Sequence, residues 1–418
     1  MSKKPLKIGL VGCNRGTYLS PNFKLLGCEI VAICDFNKER LAESKKSIGY
    51  EVATYENFDD FIEHDMDAVF LANCFHEHAP LAIKCFEKGI HVLSECISNG
   101  TMAEGVELIE AFEKTENVVY MLAENYPQML YNKEIQNVVK SGTLGKILYA
   151  EAEYNHPSSP YDVEFLKQFV NYPKHWRNYC PASYYITHSL GPVMKATGAT
   201  PKQVSCLNIF APTDEDKPSG NYAGDKASII TTMNDDGSVF RITACSQFGA
   251  HHCSTRVCGT KGQIENIRGM GEKIMLRYNG WDIPEGREEV NCYDPKWNDK
   301  DEELIKNSGH GGADFITIKI FVEAVKANKQ PEFPFDIYSG TTMSSVAILG
   351  HRSMLEGGKP YMMPDFRKKE DRDLWREDRL TPFFGTNGSK PNIQPGSQAD
   401  YKPTEEQIAG YKKLIGIE

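Results

Sequence analysis

Lys7-Ile8-Gly9-Leu10-Val11-Gly12-Cys13-Asn14-Arg15-Gly16-Thr17 is the stretch on which the fold turns. Residues 7–11 form a short apolar run ended by glycine, the pattern of a buried strand, and a helical segment opens after the turn. A second apolar run, 29–34, ends at Asp35, about 20 residues beyond the turn, where an acid can accept hydrogen bonds from an adenosine ribose. Strand, glycine turn, helix, strand and acid in this order predict a dinucleotide site. Gly12, Cys13, Asn14, Arg15 and Gly16 would surround the pyrophosphate at a helix N-terminus. The loop is a residue shorter than Gly-x-Gly-x-x-Gly and lacks the middle glycine, so Cys13 or Asn14 fills that role. A carboxylate at 35 repels a 2′-phosphate and favours NAD over NADP, against the nearby Lys38 and Arg40.

Outward from this motif, further strands at 68–72, 91–94 and 118–123 alternate with helical patterns, giving a doubly wound parallel sheet over 1–125. A length of 418 residues calls for a second domain and hence a cleft. It is expected over 126–366 as an α/β domain: a helix at 132–141, strands at 147–154, 203–209, 227–233, 240–248 and 254–259 in a large, mostly antiparallel sheet, then helices at 314–327 and 339–355. The net charge of −10 argues against nucleic acid and anionic membrane surfaces as partners. No run approaches the roughly 18 apolar residues needed to span a bilayer. Residues 8–11 are too short for a signal-peptide core, and twelve scattered cysteines read as reduced thiols, so a cytoplasmic location is expected. His251-His252-Cys253 with Cys258 lacks paired Cys-x-x-Cys spacing, so no metal is expected.

Asn73-Cys74-Phe75-His76-Glu77-His78-Ala79-Pro80 and Gly89-Ile90-His91-Val92-Leu93-Ser94-Glu95 resemble the Gfo/Idh/MocA family of sugar-linked oxidoreductases. That family usually carries Glu-Lys-Pro after its fifth strand; this chain reads Glu95-Cys96-Ile97. Further segments resemble one branch, the NAD-dependent glycosidases of glycoside hydrolase family 109. They are Glu124-Asn125-Tyr126, Gly145-Lys146-Ile147, His175-Trp176-Arg177, Tyr185-Ile186-Thr187-His188-Ser189-Leu190-Gly191-Pro192, Gly309-His310-Gly311-Gly312-Ala313-Asp314 and Asp336-Ile337-Tyr338. That branch also lacks the lysine. The resemblance implies cleavage of a glycoside by transient oxidation at sugar carbon 3, elimination, water addition and re-reduction, with NAD returned unchanged. Two other functions stay open: a sugar dehydrogenase or carbon-3 oxidase, and a non-catalytic NAD or sugar sensor.

Such chemistry needs proton carriers, and an imidazole titrates near neutrality, which singles out His188. Tyr185, three residues earlier, either shares the proton or packs in the core. Glu95 is expected beside the nicotinamide or as a ribose anchor, and Tyr126 is a further catalytic candidate. Asn73, His76, His78 and Asn125 are expected to border the cofactor. Trp176 offers a sugar-stacking face or a core ring, Arg177 a hydrogen-bonding fork, and His310 a substrate contact in a glycine-rich turn. From 367 to 418 the chain is charged, then rich in Gly, Pro, Asn and Ser, with Phe383-Phe384 as an apolar anchor and a short amphipathic stretch at 405–414. It reads as an extended tail that docks on its own or a neighbouring subunit and supports a homo-oligomer.

Overall fold

The computed structural model describes residues 4–417 apart from 158, 160–162, 171, 386 and 387. Strands β1 (Lys7–Val11), β2 (Glu29–Cys34), β3 (Ala53–Tyr55), β4 (Ala68–Leu71), β5 (His91–Ser94) and β6 (Tyr120–Leu122) pair in parallel in the order β3-β2-β1-β4-β5-β6. This is the doubly wound sheet expected. The intervening helices are α1 (Arg15–Leu25), α2 (Lys38–Ile48), α3 (Phe58–Phe61), α4 (His78–Glu87) and α5 (Met102–Phe112). Local chemistry fixes their ends. The Asn37 side chain accepts from the Glu39 and Arg40 amides to start α2, Gly49 stops it in the left-handed region, and Thr101 with Glu104 forms a reciprocal cap on α5.

The second sheet has nine strands: β7 (Ile147–Asn155), β8 (Pro201–Phe210), β9 (Asp225–Asn234), β10 (Val239–Ser246), β11 (His252–Gly259), β12 (Gly262–Asn266), β13 (Ile274–Tyr278), β14 (Val290–Tyr293) and β15 (Tyr361–Met362). Their order is β14-β13-β12-β11-β7-β10-β9-β8-β15, antiparallel throughout except for the β7–β10 pair. β3, β12, β13, β14 and β15 were not anticipated from sequence: β3 and β15 are three and two residues long, β12 follows β11 after only two residues, and β13 and β14 lie within the stretch 265–300 that shows no clear period. Helices α6 (Leu130–Lys140), α7 (Val163–Phe169), α8 (Thr187–Thr197), α9 (Glu302–Lys306), α10 (Ala313–Ala327), α11 (Ile337–Leu355), α12 (Lys369–Asp373) and α13 (Glu405–Ile415) complete the chain. α8 lies against β7 and β10.

Two late helices tie the sheets together. Ile318, Phe321 and Val322 of α10 join Ile8, Leu10, Phe23 and Phe70 in one buried cluster, so the dinucleotide-type sheet draws part of its core from beyond residue 310. The Leu122 amide on β6 donates to the Phe335 carbonyl at 3.0 Å, and Ser98 bonds Ser344 of α11.

The tail also folds back on its own chain. Arg372, Arg376 and Arg379 pair with Glu113, Glu110 and Glu107 along α5, and Arg352 of α11 holds Asp378. Phe383 is 0% exposed, edge-on to Tyr184 and stacked at 4.6 Å on His76. Further on, Ser397 bonds Asp225, and Tyr411 is buried with its hydroxyl donating to the Val170 carbonyl. Exposed ion pairs contribute little each, whereas a fully buried ring contributes several kcal/mol. Phe383→Ala is therefore expected to destabilise the protein by about 3–5 kcal/mol, read as a lower denaturant midpoint. An Arg376→Ala change, at a solvent-screened ion pair, is expected to leave the midpoint of the same titration nearly unchanged.

Candidate active site

The β1–α1 turn is built for close backbone approach. Gly12 has φ +89°, and a side chain there would place its Cβ 2.2 Å from the Ala72 carbonyl oxygen at the end of β4. Asp35 closes the same loop: one carboxylate oxygen accepts from the Cys13 amide at 2.8 Å and the other from the Asn37 amide at 2.9 Å. Asn14 immediately precedes α1 without a side-chain cap, and Gly16 is buried one residue into the helix. Arg15, its first residue, donates to Glu95 at 2.7 Å and to Asp314 at 3.0 Å. Glu95, beyond β5, is thus held by the dinucleotide loop itself.

Among the residues expected around a cofactor, His76 and Asn125 each bury a polar atom, Nδ1 and Oδ1 respectively, with no partner among the described residues. A buried polar atom without a partner is costly, and a bound molecule would relieve it. These atoms, the glycine cradle and the Asp35 carboxylate fit a dinucleotide. His78 is the most enclosed of these residues, and its Nε2 is likewise buried without a partner among the described residues. It is 1% exposed, and its Nδ1 bonds the Ile97 carbonyl at 2.8 Å, because it begins α4 beneath the loop after β5. His76 faces the tail, its Nε2 donating to the Phe384 carbonyl at 3.0 Å. Asn73, just beyond β4, is partly buried.

Beyond this crevice lies a buried carboxylate. Glu124 is 0% exposed and takes donors from three residues: His188 Nδ1 at 2.9 and 3.0 Å from its two oxygens, the Tyr126 amide at 3.0 Å and the Cys96 thiol at 3.2 Å. Gly191, one turn beyond His188 on α8, makes this approach feasible; a Cβ there would lie 2.8 Å from Glu124 Cγ. Aromatic rings fix the imidazole: Tyr126 stacks on it at 4.2 Å, Tyr154 meets it edge-on at 5.0 Å and Tyr185 at 5.2 Å. His188, Tyr126 and Tyr185 thus come together as expected. Trp176 is 9% exposed, stacked on Phe75 at 4.7 Å, with the Arg177 guanidinium 4.4 Å from its ring centre. It supports Arg177, which also approaches the Tyr185 ring at 6.0 Å. His310 stands across the site, 6.1 Å from the Tyr126 ring, its Nδ1 2.8 Å from Asp314.

The electrostatics assign the proton-bearing forms. Burial alone would lift the Glu124 carboxyl, but the charge and hydrogen bond of His188, with bonds from Thr187 and the Tyr126 amide, bring it below the usual carboxylate range. Burial pushes the phenols of Tyr126, Tyr154 and Tyr185 well up, so all three stay protonated and act as donors rather than bases. Burial, with the charges of Glu124 and Glu95, also drives the Cys96 thiol far above its ordinary value. The residue standing where a lysine is usual therefore carries no charge at neutral pH.

Sequence reasoning left three members without a role. Tyr154 sits near the end of β7 as one more aromatic in an alternating strand. Glu124 was visible as a motif residue but lies 64 positions from its imidazole. Asp314, at the start of α10, binds Arg15, Asn125 and His310 together. Only its spacing of four from His310 is a local signal. His251 and His252, weighed as metal ligands, bond His156 and Glu153 instead, at 2.8 Å each. Among the described residues no three His, Cys, Asp or Glu side chains converge as a metal site.

Residues 6–123 match the Gfo/Idh/MocA oxidoreductase family with its NAD-binding Rossmann fold, and residues 211–372 match the C-terminal domain of glycosyl hydrolase 109. The N-terminal part of the chain is thus similar to the Gfo/Idh/MocA oxidoreductase family and a later part to glycosyl hydrolase 109, each over less than half of the chain. Relatives include a glycosyl hydrolase family 109 protein of Shewanella pealeana, 24% identical over 414 residues covering 91% of this chain and 89% of that one. Another, from Saccharopolyspora erythraea, is 24% identical over 420 residues, covering 92% and 87%. Among solved structures, levoglucosan dehydrogenase in complex with NADH and L-sorbose superposes with a TM-score of 0.73 at 18% identity, covering 87% of this chain and all of that one. A myo-inositol 2-dehydrogenase from Lactobacillus plantarum gives 0.63 at 19%, covering 86% and 100%. Both are likenesses of fold.

Two outcomes follow for this enzyme. Gly12→Ala is expected to weaken NAD binding by about tenfold or more, measured by NADH fluorescence titration, because the added methyl meets backbone that cannot move aside. Alkylation with iodoacetamide at pH 8 is expected to label Cys292, the one exposed cysteine of twelve, and to leave Cys96 unmodified in the folded protein, read by peptide mass.

Proposed function

We propose that this enzyme hydrolyses a glycoside by transient oxidation of the sugar, and that the Glu124–His188 pair is its principal proton carrier. NAD, held by the Gly12–Gly16 turn, Asp35, Asn125 and the loop after β4, supplies a reversible hydride acceptor when bound, and a ketone at sugar carbon 3 is what that chemistry provides. The single observation carrying the reading is a buried carboxylate that fixes Nδ1 of His188 while Cys96, in the position usual for a lysine, stays a neutral thiol.

With Nδ1 bonded to Glu124, Nε2 is the ring atom left to exchange protons. It takes the proton of the hydroxyl being oxidised, and the Glu124 carboxylate stabilises the imidazolium that results. Once Nε2 has passed that proton to solvent it is free to accept the carbon-2 proton, which the adjacent carbonyl acidifies, and it returns a proton to carbon 2 after water has added. Tyr126, Tyr154 and Tyr185, held neutral by burial, donate hydrogen bonds to sugar oxygens and orient the ring. Arg177, propped on Trp176, supplies a two-pronged donor to sugar hydroxyls. The closely packed aromatic wall of Phe75, Trp176, Tyr185 and Tyr154 limits water at the reacting carbons.

The test is turnover of neutral, N-acetylated and anionic aryl glycosides in D2O with catalytic NAD. Deuterium at carbon 2 of the released sugar and no net NADH are expected. His188→Ala is expected to lower kcat by about 10²–10⁴-fold. NADH accumulating in step with product would select carbon-3 oxidation instead, and cleavage without deuterium at carbon 2 would rule the proposal out.

A further inference from the structure

The segment that carries Arg177 is held only lightly by its own backbone. Between Tyr172 and Tyr179 the His175 amide donates to the Tyr172 carbonyl, Asn178 to His175 and Tyr179 to Trp176, each at 3.0 Å, and the His175 ring accepts from the Arg177 amide at 3.2 Å. This arch meets the first domain through side chains. Trp176 stacks on Phe75 at 4.7 Å, the Tyr172 hydroxyl lies 3.9 Å from Cys74 Sγ, and the Tyr172 ring meets Phe36 edge-on at 6.2 Å. Turn bonds and ring contacts of this kind open readily, so the direction of the guanidinium depends on what braces the arch from behind.

That brace comes from the far end of the chain. Tyr411 of α13 is 3% exposed, and its hydroxyl donates to the Val170 carbonyl at 2.5 Å, with the Tyr172 carbonyl 3.3 Å away. The same oxygen accepts from Asn178 Nδ2 at 3.1 Å. Asn178 is 4% exposed; its Nδ2 also faces the Pro173 carbonyl at 3.2 Å, and its own carbonyl accepts from the Tyr222 amide at 2.7 Å. One phenol thus ties both ends of the arch, at 172 and at 178. The surroundings admit that ring closely: a Cβ on Gly220 would meet Tyr411 Cε1 at 2.8 Å. Beside it Gln407 anchors α13, its Nε2 facing the carbonyls of Thr213 at 3.2 Å and Asp214 at 2.9 Å.

Two features separate this from simple docking of a tail. Every hydrogen bond of the Tyr411 hydroxyl among the described residues goes to residues 170–178, so a phenylalanine would fill the same space and only the arch would lose by it. The apolar contacts lead to the same place. Tyr411, Ile415 and Val170 are buried together with Leu166 and Phe169 packed against them, and the Phe169 ring lies 5.7 Å from the Arg177 guanidinium.

We infer that Tyr411 is a positioning residue for sugar binding, acting through the Tyr172–Asn178 arch on Arg177. The inference rests on the reading above that Arg177 binds sugar hydroxyls. The last helix of the chain is then the outer support of the sugar site. Glu124 and His188 are fixed by bonds to each other and to Tyr126 and Cys96, so loss of the phenol acts on sugar affinity and spares the proton chemistry.

The experiment compares the full-length, NAD-loaded protein with Tyr411→Phe, Arg177→Gln and the double variant. It reads kcat and KM on whichever 4-nitrophenyl glycoside, neutral, N-acetylated or anionic, the unaltered protein turns over fastest. Hydrogen–deuterium exchange of the peptide holding residues 172–179 is read by mass spectrometry, and NADH fluorescence titration checks that the cofactor site persists. Tyr411→Phe is expected to raise KM about fivefold while kcat stays within about threefold, the signature of lost binding rather than lost chemistry. Exchange at 172–179 should quicken about tenfold while peptides of α8 are unchanged. In the Arg177→Gln background the same change should raise KM by less than about twofold, because the arch then has no guanidinium to place. An unchanged KM, unchanged exchange at 172–179, or a KM increase that persists in full in the double variant would overturn the inference and leave the hydrolase reading standing. An Arg177→Gln protein with unaltered KM would remove the sugar-binding role of Arg177 and the inference with it. Failure of the unaltered protein to turn over any of the glycosides would overturn the parent reading and this role together.

Discussion

A carboxylate sealed from water must be matched by donors, and the region between the two sheets is organised around two such groups. Glu124 and Asp314 are 0% and 1% exposed, and an ionised carboxyl in that position is stable only when hydrogen bonds and opposite charge replace its hydration. Glu124 is matched by one imidazole, one thiol and a backbone amide. Asp314 is matched by a guanidinium from the β1–α1 turn, an amide from the loop after β6 and a second imidazole. The donors come from segments distant in sequence, so satisfying each charge also fixes how α1, α8 and α10 meet. Electrostatic demand and tertiary geometry are one constraint here.

That constraint explains why a lysine is absent from position 96. A second cation beside Glu124 would compete with His188 for the same oxygens, and a protonated thiol at 3.2 Å satisfies a lone pair without adding charge. The three tyrosines around His188 act similarly, lending apolar faces and hydroxyl donors while staying neutral. Around His188 the carboxylate is thus held charged and the phenols and thiol neutral, which under the proposed mechanism leaves proton transfer to the imidazole.

Much of this was legible in the sequence because it is local. The turn at Gly12, Asp35 beyond β2, and the segment containing Tyr185 and His188 each carry their signal within a few residues, as do the alternating strands of the second sheet. What was not legible depends on separations the chain does not advertise. Glu124 stands 64 residues from His188, and Asp314 stands 299 from Arg15. Tyr154 is one aromatic among many until β7 is seen to end beside α8. His78, set beside His76 in a single loop reading, is buried because it is the first residue of α4. The tail read as an extended, charged arm with no docking site named, for a like reason. Its arginines at 372, 376 and 379 make sense only against the glutamates at 113, 110 and 107, which run the opposite way along α5.

The placement of α10 and of Phe383 bears on synthesis. A nascent chain leaves the ribosome N-terminus first, so the six-stranded sheet emerges whole long before Ile318, Phe321 and Val322 arrive to fill one of its faces, and longer still before Phe383 settles on His76. Until then the sheet has an unfilled apolar surface and a loop without its lining, and the dinucleotide crevice is unfinished. The lining of the dinucleotide crevice is thus shared between the first hundred residues and segments made more than two hundred residues later.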